Sequence, residues 1–202
     1  LLVLTKPLAI ISSNLNLVIL YLGVITLLAG HLLASQQKNL KRLLAYSSIS
    51  QIGYIMIGIG CLNQAGSSGA VFHMFNHALV KSALFLAAGV FSKKLKAKEI
   101  DDLKGIGYKM PLIGGLFTLS AMTIIGLPPF NIFISKWLIA TAAIKEGFLL
   151  SGGAVLLGSI LALSYYLRVI KVIYTTDSYE QQSKAIDWKL KLPVTLLTVS
   201  CL

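Results

Sequence analysis

The amino-acid sequence predicts an all-α bundle of helices that cross a membrane several times. Of its 202 residues, 56% are hydrophobic and only 12% are charged, and the mean hydropathy is +0.80. A soluble domain of this length needs a larger charged surface. Several apolar runs also approach the roughly 20 residues that a helix needs to cross about 30 Å of hydrocarbon. Composition therefore excludes an ordinary soluble domain.

Charge and cysteine content exclude two further classes. The net charge of +11 lies in short segments between the apolar runs, without the interleaved aromatic residues of a nucleic-acid-binding face. We therefore expect no nucleic-acid partner. Cys61 and Cys201 lie far apart in apolar surroundings, so they predict neither a metal site nor a disulfide.

Six apolar segments follow one another, and we interpret residues 1–202 as a single membrane domain. Segment F stops in mid-span and the sequence has no initiator methionine, so we expect a fragment of a longer subunit. The segments are A (residues 15–34), B (43–62), C (69–91), D (111–144), E (149–170) and F (192–202).

Segment D is too long for one straight span and contains Gly126, Pro128 and Pro129. Proline removes a backbone donor and clashes with the preceding turn, so this sequence is expected to break a helix. We interpret D as two half-helices joined by unwound backbone at residues 126–129. Unwound backbone at membrane depth survives only where protein or a water-filled cavity satisfies it, so the break is expected inside the bundle.

The basic residues predict the topology. They concentrate in the A–B, C–D and E–F connections, whereas Lys6 and Lys145 are the only ones assigned to the other side. By the positive-inside rule these connections face the cytoplasm. The positive-inside rule accounts for the lysines of the run Lys93–Lys98. The alternative is that these lysines bind lipid headgroups.

Segment C carries three ionisable side chains, His73, His77 and Lys81, four residues apart. Each step rotates by only about 40°, so they line one stripe roughly 12 Å long. Burial brings the charged and neutral forms of such groups closer in free energy, and histidine titrates near neutral pH. The stripe therefore indicates a path for protons. The alternatives are a polar stripe that binds a neighbouring helix and a zinc site, for which no third ligand is visible.

Lys136 follows the break in segment D by about two helical turns. The carbonyl groups that end the first half-helix and the N–H groups that begin the second create partial charges that can bind ions. We therefore expect Lys136 to take part in ion transfer. The alternative is a lysine that extends its charge to the membrane surface.

The remaining polar residues of the spans are less decisive. Ser47, Gln51 and Tyr54 share one face of segment B and can either hold water or allow close packing of helices. His31 is interpreted as an interfacial residue, with a relay role as the alternative. Paired-carboxylate chemistry within the spans is excluded, because all acidic residues lie in connections: Glu99, Asp101, Asp102, Glu146, Asp177, Glu180 and Asp187.

Three motifs resemble those of one membrane-protein family. Residues 39–54, NLKRLLAYSSISQIGY, resemble the signature of the antiporter-like subunits of respiratory complex I, Mrp cation/proton antiporters and membrane-bound hydrogenases. Residues 73–89 resemble the family's relay helix. Residues 126–136 resemble its broken helix with a terminal lysine, and the three motifs follow the family's order.

The resemblance implies a function and a fold. Segments A to E would form one inverted repeat of five helices with a discontinuous helix, and F would begin a sixth. His73, His77 and Lys81 would carry protons, and Lys136 would be the exit group. The expected function is proton, or proton/sodium, translocation in a complex of the NADH-quinone oxidoreductase, hydrogenase or Mrp type. The expected membrane is a prokaryotic plasma membrane or an organellar inner membrane.

The resemblance also sets expectations about partners. We expect other membrane subunits, protons or sodium ions, and lipid. The sequence shows no haem, flavin or iron–sulfur signature, so no cofactor is expected and any electron transfer belongs to other subunits. The family's first repeat supplies a glutamate–lysine pair and a central lysine that this chain lacks, and Ile132 stands where the family usually has glycine. A non-conducting structural anchor of a redox complex is the alternative function.

Overall fold

The structure is a computed structural model that describes residues 13–95, 97, 99–175 and 188–199. These residues form helices and connections without a β-strand, which confirms the all-α prediction. The elements are α1 (Ser13–Ser35), α2 (Leu40–Gly60), α3 (Gln64–Leu95), a 3₁₀ turn (Asp101–Leu103), α4 (Ile106–Lys109), α5 (Pro111–Ile125), α6 (Asn131–Lys145), α7 (Leu149–Tyr174) and α8 (Trp188–Val199).

Four of these helices, α1, α2, α3 and α7, are long and apolar enough to cross a membrane. The count rises to five if the bent pair of residues 101–109 and α5 is one span. Some predictions lie outside the described residues: those on Lys6, Lys96, Lys98 and Cys201, and the end of segment F beyond Val199.

Asparagine side chains set the starts of α2 and α3. The Asn39 side chain accepts a hydrogen bond from the Arg42 N–H, at 3.1 Å, and Asn63 accepts one from the Gly66 N–H, at 2.7 Å. Such caps satisfy N–H groups that have no partner inside the helix. Both helices therefore begin before the apolar segments B and C, in polar turns that a search for apolar runs does not include.

The structure divides segment D into α5 and α6. Helix α5 ends at Ile125, and Gly126 adopts a left-handed conformation with φ of +86°. Helix α6 begins at Asn131, so the unwound stretch reaches Phe130. Each half-helix has 15 residues and is therefore about 22 Å long, less than the hydrocarbon thickness.

The connection between α3 and α5 is not a simple basic loop. It contains the 3₁₀ turn and α4, and the chain bends by 115° between residues 101–109 and α5. Its apolar side chains, among them Ile100, Leu103, Ile106 and Met110, are buried in the main core. The sequence pattern does not predict this short amphipathic unit, because one or two turns are too short to show a helical period.

The A–B and C–D connections meet at one end of the bundle. The Ile100 N–H donates to the Lys38 carbonyl at 2.8 Å, and Arg168, in the second half of α7, donates to the Gln37 carbonyl at the same end at 2.8 Å. At the other end, Asn63 donates to the Glu146 carboxylate at 3.0 Å. The alternation of connections in the sequence therefore matches their positions in the fold.

Helices α1 and α2 approach each other through glycine. A Cβ atom added at Gly53 would lie 2.7 Å from the Gly23 carbonyl oxygen, and one added at Gly30 would lie 2.8 Å from the Ser50 Cα atom. Neither position leaves space for a larger residue. Small residues permit this closeness between helices in membranes.

Large apolar side chains lie on the outside of the bundle and polar side chains lie between the helices, which is the reverse of a soluble protein. Large apolar residues such as Ile25, Leu149 and Ile160 are exposed, as expected where a helix faces lipid. Between the helices lie completely or almost completely buried polar side chains: His31, Ser47, Ser50, Gln51, His73, Lys81, Ser135 and Lys136. Buried ionisable residues in membrane spans are functional candidates by default.

Candidate functional site

Lys81 of α3 is held by oxygen atoms of α2 and α7. Its ammonium group donates to the Leu44 carbonyl at 2.9 Å, to the Ser47 hydroxyl and to the Tyr166 hydroxyl at 3.3 Å. The Ser47 and Tyr166 hydroxyls lie 3.0 Å apart. All of these partners are neutral, so this ammonium group is hydrogen-bonded but not paired with a carboxylate.

Lys136 of α6 binds the end of α5. Its ammonium group donates to the carbonyl oxygens of Ile124 and Ile125 at 3.1 and 2.9 Å and to the Ser159 hydroxyl at 3.3 Å. Carbonyl groups at a helix C-terminus carry partial negative charge and have no partner within the helix. The ammonium nitrogen also lies 4.6 Å from the centroid of the Tyr54 ring, which adds a cation–π attraction.

Two expectations about the break need correction. The alternative reading of Lys136 as a lysine that reaches the membrane surface is wrong, since the side chain is buried. The break was expected inside the bundle, but Pro128 and Pro129 are exposed on the described chain. Gly126 and Leu127 face the interior: Leu127 packs against the main core, and a Cβ added at Gly126 would lie 3.0 Å from Lys136 Cδ.

His73 connects α3 to α2 and α6. Its Nδ1 atom lies 2.8 Å from the Ser135 hydroxyl, and its Nε2 atom lies 3.0 Å from Gln51 Oε1. Ser135 donates to the Ile132 carbonyl at 2.9 Å, so its oxygen accepts from Nδ1–H. Gln51 Oε1 also needs a donor, so this arrangement satisfies a ring that carries both protons.

The neutral form of His73 requires a different Gln51 orientation. If Nε2 has no proton, the amide must turn so that its NH₂ group donates to the ring. In the present orientation Gln51 Nε2 is buried without a hydrogen-bond partner. The orientation of the Gln51 amide and the protonation of His73 are therefore linked.

His77 lies next to His73 in the predicted stripe. The two rings are stacked, with centroids 6.4 Å apart. The Nε2 atom of His77 is buried without a hydrogen-bond partner. Within the part of the chain that the structure describes, no cluster of three His, Cys, Asp or Glu side chains includes these histidines.

The predicted polar face of α2 contacts two ionisable groups of the stripe, His73 and Lys81, and the lysine beyond the break, Lys136. Ser47 accepts from Lys81, Gln51 binds His73, and the Tyr54 ring packs against Lys136. The polar face of α2 therefore does more than allow close packing of helices, because its side chains bind ionisable groups directly. Binding of water by this face stays a prediction.

His31 lies among partners that the sequence pattern does not predict. The interpretation of His31 as interfacial is wrong, because the side chain is completely buried. It lies between Tyr54 of α2 and Tyr165 of α7, at 3.3 and 3.1 Å. A histidine within an apolar run indicates a functional side chain. This pattern applies to His73, and it applies to His31 too. Nothing local in the sequence points to Tyr165 and Tyr166.

Comparison with known proteins identifies the family. The family described as "NADH:quinone oxidoreductase/Mrp antiporter, TM" matches residues 1–162 of the chain. The chain belongs to this family. The resemblance stated from the three motifs is therefore confirmed, and the chain is an integral membrane protein of the antiporter-like subunit type.

Curated relatives of the chain include subunits of NADH-quinone oxidoreductases. The chain is 36% identical over 179 residues to NADH-quinone oxidoreductase subunit N of Desulforudis audaxviator, a match that covers 85% of the chain and 36% of the relative. It is 36% identical over 163 residues to subunit M of Rickettsia typhi, covering 81% and 33%. The chain thus spans about a third of the length of these relatives.

Solved antiporter-like subunits have the same fold. A chain of the membrane-bound sulfane sulfur reductase, an archaeal respiratory membrane complex, superposes with a TM-score of 0.83 at 34% identity, covering 93% of this chain and 39% of that one. A chain of the Mrp complex from Dietzia sp. DQ12-45-1b gives a TM-score of 0.87 at 24% identity, covering 94% and 44%. Both matched chains come from membrane complexes.

Proposed function

We propose that the chain is part of a subunit that translocates protons, or exchanges protons for sodium ions, within a larger energy-converting membrane complex. His73, His77 and Lys81 carry protons through the bundle, and Lys136 is the exit group. The first five spans form one inverted five-helix repeat. The basic connections face the cytoplasm, in a prokaryotic plasma membrane or an organellar inner membrane.

One observation carries this proposal: each buried lysine has oxygen partners that suit both its charged and its neutral form. A charged amine donates three hydrogen bonds, whereas a neutral amine donates two and accepts one. Lys136 has two carbonyl oxygens and the Ser159 hydroxyl. When the amine loses its proton, this hydroxyl can turn and donate to the nitrogen.

Lys81 has the same kind of surroundings. One carbonyl oxygen and the hydroxyls of Ser47 and Tyr166 surround its nitrogen. A carboxylate partner would hold the amine in its charged form, but the partners of this amine among the described residues are neutral. Both protonation states of the two lysines are therefore supported without large rearrangement, as proton transfer requires.

The test is replacement of Lys81 by methionine in the full-length subunit within its complex. Methionine is similar in volume and cannot carry a proton. We expect the complex to assemble and proton pumping into membrane vesicles, followed with a pH-sensitive dye, to be lost. Lys93→Met is the matched control, because Lys93 is exposed on the same helix. Unchanged pumping by the Lys81 variant would remove this residue from the path.

A non-conducting anchor predicts a different result. Neutralising His73, His77, Lys81 and Lys136 together would then change the amount of assembled complex but not the pumping per complex. The two functions are therefore separated by measuring pumping and assembly on the same vesicles.

A further inference from the structure

The interior of the bundle contains a second chain of polar side chains, which joins two lysines of the proton path proposed above. It begins at Lys136, passes through His31 of α1 and ends at Lys81, and the residues between the two lysines are not part of that path. The His73–His77 stripe, in contrast, leaves the buried Nε2 atom of His77 without a hydrogen-bond partner.

At the Lys136 end, the link is made by Ser159 and Tyr54. The Ser159 hydroxyl accepts from the Lys136 ammonium group at 3.3 Å and lies beside the Tyr54 hydroxyl. The Tyr54 hydroxyl lies 3.3 Å from His31 Nε2. One hydroxyl and one phenol therefore separate the lysine from the imidazole.

At the Lys81 end, the link is made by Tyr165. Its hydroxyl lies 3.1 Å from His31 Nδ1 and beside the Ser47 and Ser50 side chains. Ser47 is itself a direct partner of Lys81. The Tyr166 ring packs on Tyr165, with centroids 4.8 Å apart, and its hydroxyl accepts from Lys81.

The position of His31 between two hydroxyl groups suits proton relay. A neutral imidazole donates from one nitrogen and accepts at the other. A proton that arrives at the accepting nitrogen from one tyrosine allows the proton on the other nitrogen to leave toward the second tyrosine. No atom is gained or lost, and the ring changes only its tautomer. Rotation of the ring, or the reverse transfer, restores the first state.

A purely structural role of His31 explains less of its hydrogen bonding than a relay role does. One hydrogen bond would suffice to attach α1 to its neighbours, and an apolar residue would fill the space without the cost of burying a polar group. Here both ring nitrogens have a hydroxyl partner, on α2 and α7. Each of these partners leads on to a buried lysine.

We propose that His31 relays protons along a second route between Lys81 and Lys136, parallel to the His73–His77 stripe. This inference rests on the proposed function. Ser159, Tyr54, Tyr165 and Ser47 complete the route.

The test introduces His31→Gln into the full-length subunit within its complex. Its effect on pumping is measured in two backgrounds, the wild type and a His73→Gln variant. Glutamine can keep hydrogen bonds to both tyrosines but cannot relay a proton by changing tautomer. We expect a partial loss of pumping per assembled complex in the wild-type background. In the His73→Gln background we expect a further loss of about tenfold or more, the scale of a positioned acid–base group.

Two further variants keep the test independent of folding. Tyr165→Phe removes one hydroxyl with almost no change of volume and should reproduce the His31→Gln effect. Tyr21→Phe is the control, because Tyr21 is exposed on the same helix as His31.

Either of two results would overturn the parallel route. One is unchanged pumping by His31→Gln in the His73→Gln background. The other is complete loss of pumping by His73→Gln alone. Neither result affects the proposed function if Lys81→Met still abolishes pumping, whereas unchanged pumping by Lys81→Met would refute the function itself.

Discussion

The ammonium nitrogen of Lys136 lies 2.9 Å from the carbonyl oxygen of Ile125, the last residue of the half-helix across the break. A continuous helix would use this carbonyl for its own hydrogen bond. Because α5 ends at Ile125, the oxygen is available to a lysine eleven residues later in the sequence. The break thus creates the site that holds the lysine.

Replacing Lys136 by methionine should abolish pumping and lower stability. The Ile124 and Ile125 carbonyls would be left buried without this donor, at a cost of about 1–3 kcal/mol for each unsatisfied group. Lys145→Met, at the exposed end of the same helix, is the control. Pumping in vesicles and the midpoint of thermal unfolding of the purified complex measure the two effects. Normal pumping by the Lys136 variant would contradict the exit role.

Gly126→Ala should destabilise the break. Alanine would enter a left-handed conformation at a cost of about 1–2 kcal/mol, and its Cβ would lie 3.0 Å from Lys136 Cδ. Thermal unfolding of the complex should shift downward and pumping should fall with it. Gly115→Ala is the matched control on α5, where an added Cβ meets nothing within 4 Å. Equal shifts for both variants would refute this account of Gly126.

Ser47→Ala should slow pumping, whereas Ser48→Ala should not. Ser47 accepts from Lys81, whereas the Ser48 hydroxyl donates to the Leu44 carbonyl of its own helix. A hydrogen bond to a charged group contributes about 1.5–3 kcal/mol, which corresponds to roughly tenfold or more in rate. The comparison of initial pumping rates decides the question, and equal rates for the two variants would argue against a role for Ser47.

Gly158→Ala should disturb the contact between the Tyr54 hydroxyl and His31 although neither of these two residues is replaced. An added Cβ would collide with the Tyr54 hydroxyl and lie 2.8 Å from Leu27 Cδ2 and 3.1 Å from His31 Nε2. Such overpacking costs about 1–3 kcal/mol. Gly153→Ala on the same helix is the control, since nothing lies within 4 Å of its added Cβ. Thermal unfolding of the complex should separate the two variants, and matching midpoints would contradict the contact.

The sequence predicted the features that depend on local pattern. Apolar runs predicted the helices, and Gly126 with Pro128 and Pro129 predicted where segment D divides. The four-residue spacing placed His73 beside His77. These features depend on neighbours within one or two helical turns.

The features that depend on distant contacts were not predictable from local pattern. His31 lies 134 residues from Tyr165 in the sequence, and Ser47 lies 119 residues from Tyr166. Only the packing of α7 against α1 and α2 brings these residues together. The exposed position of the two prolines likewise depends on how α5 and α6 pack, which the sequence pattern does not specify.

The backbone contact of α1 with α2 has a mechanical consequence. Because the two backbones are in contact at Gly30 and Gly53, a larger side chain at either position would separate the helices. His31 directly follows Gly30, so such a separation would also change its distance from Tyr54 on α2.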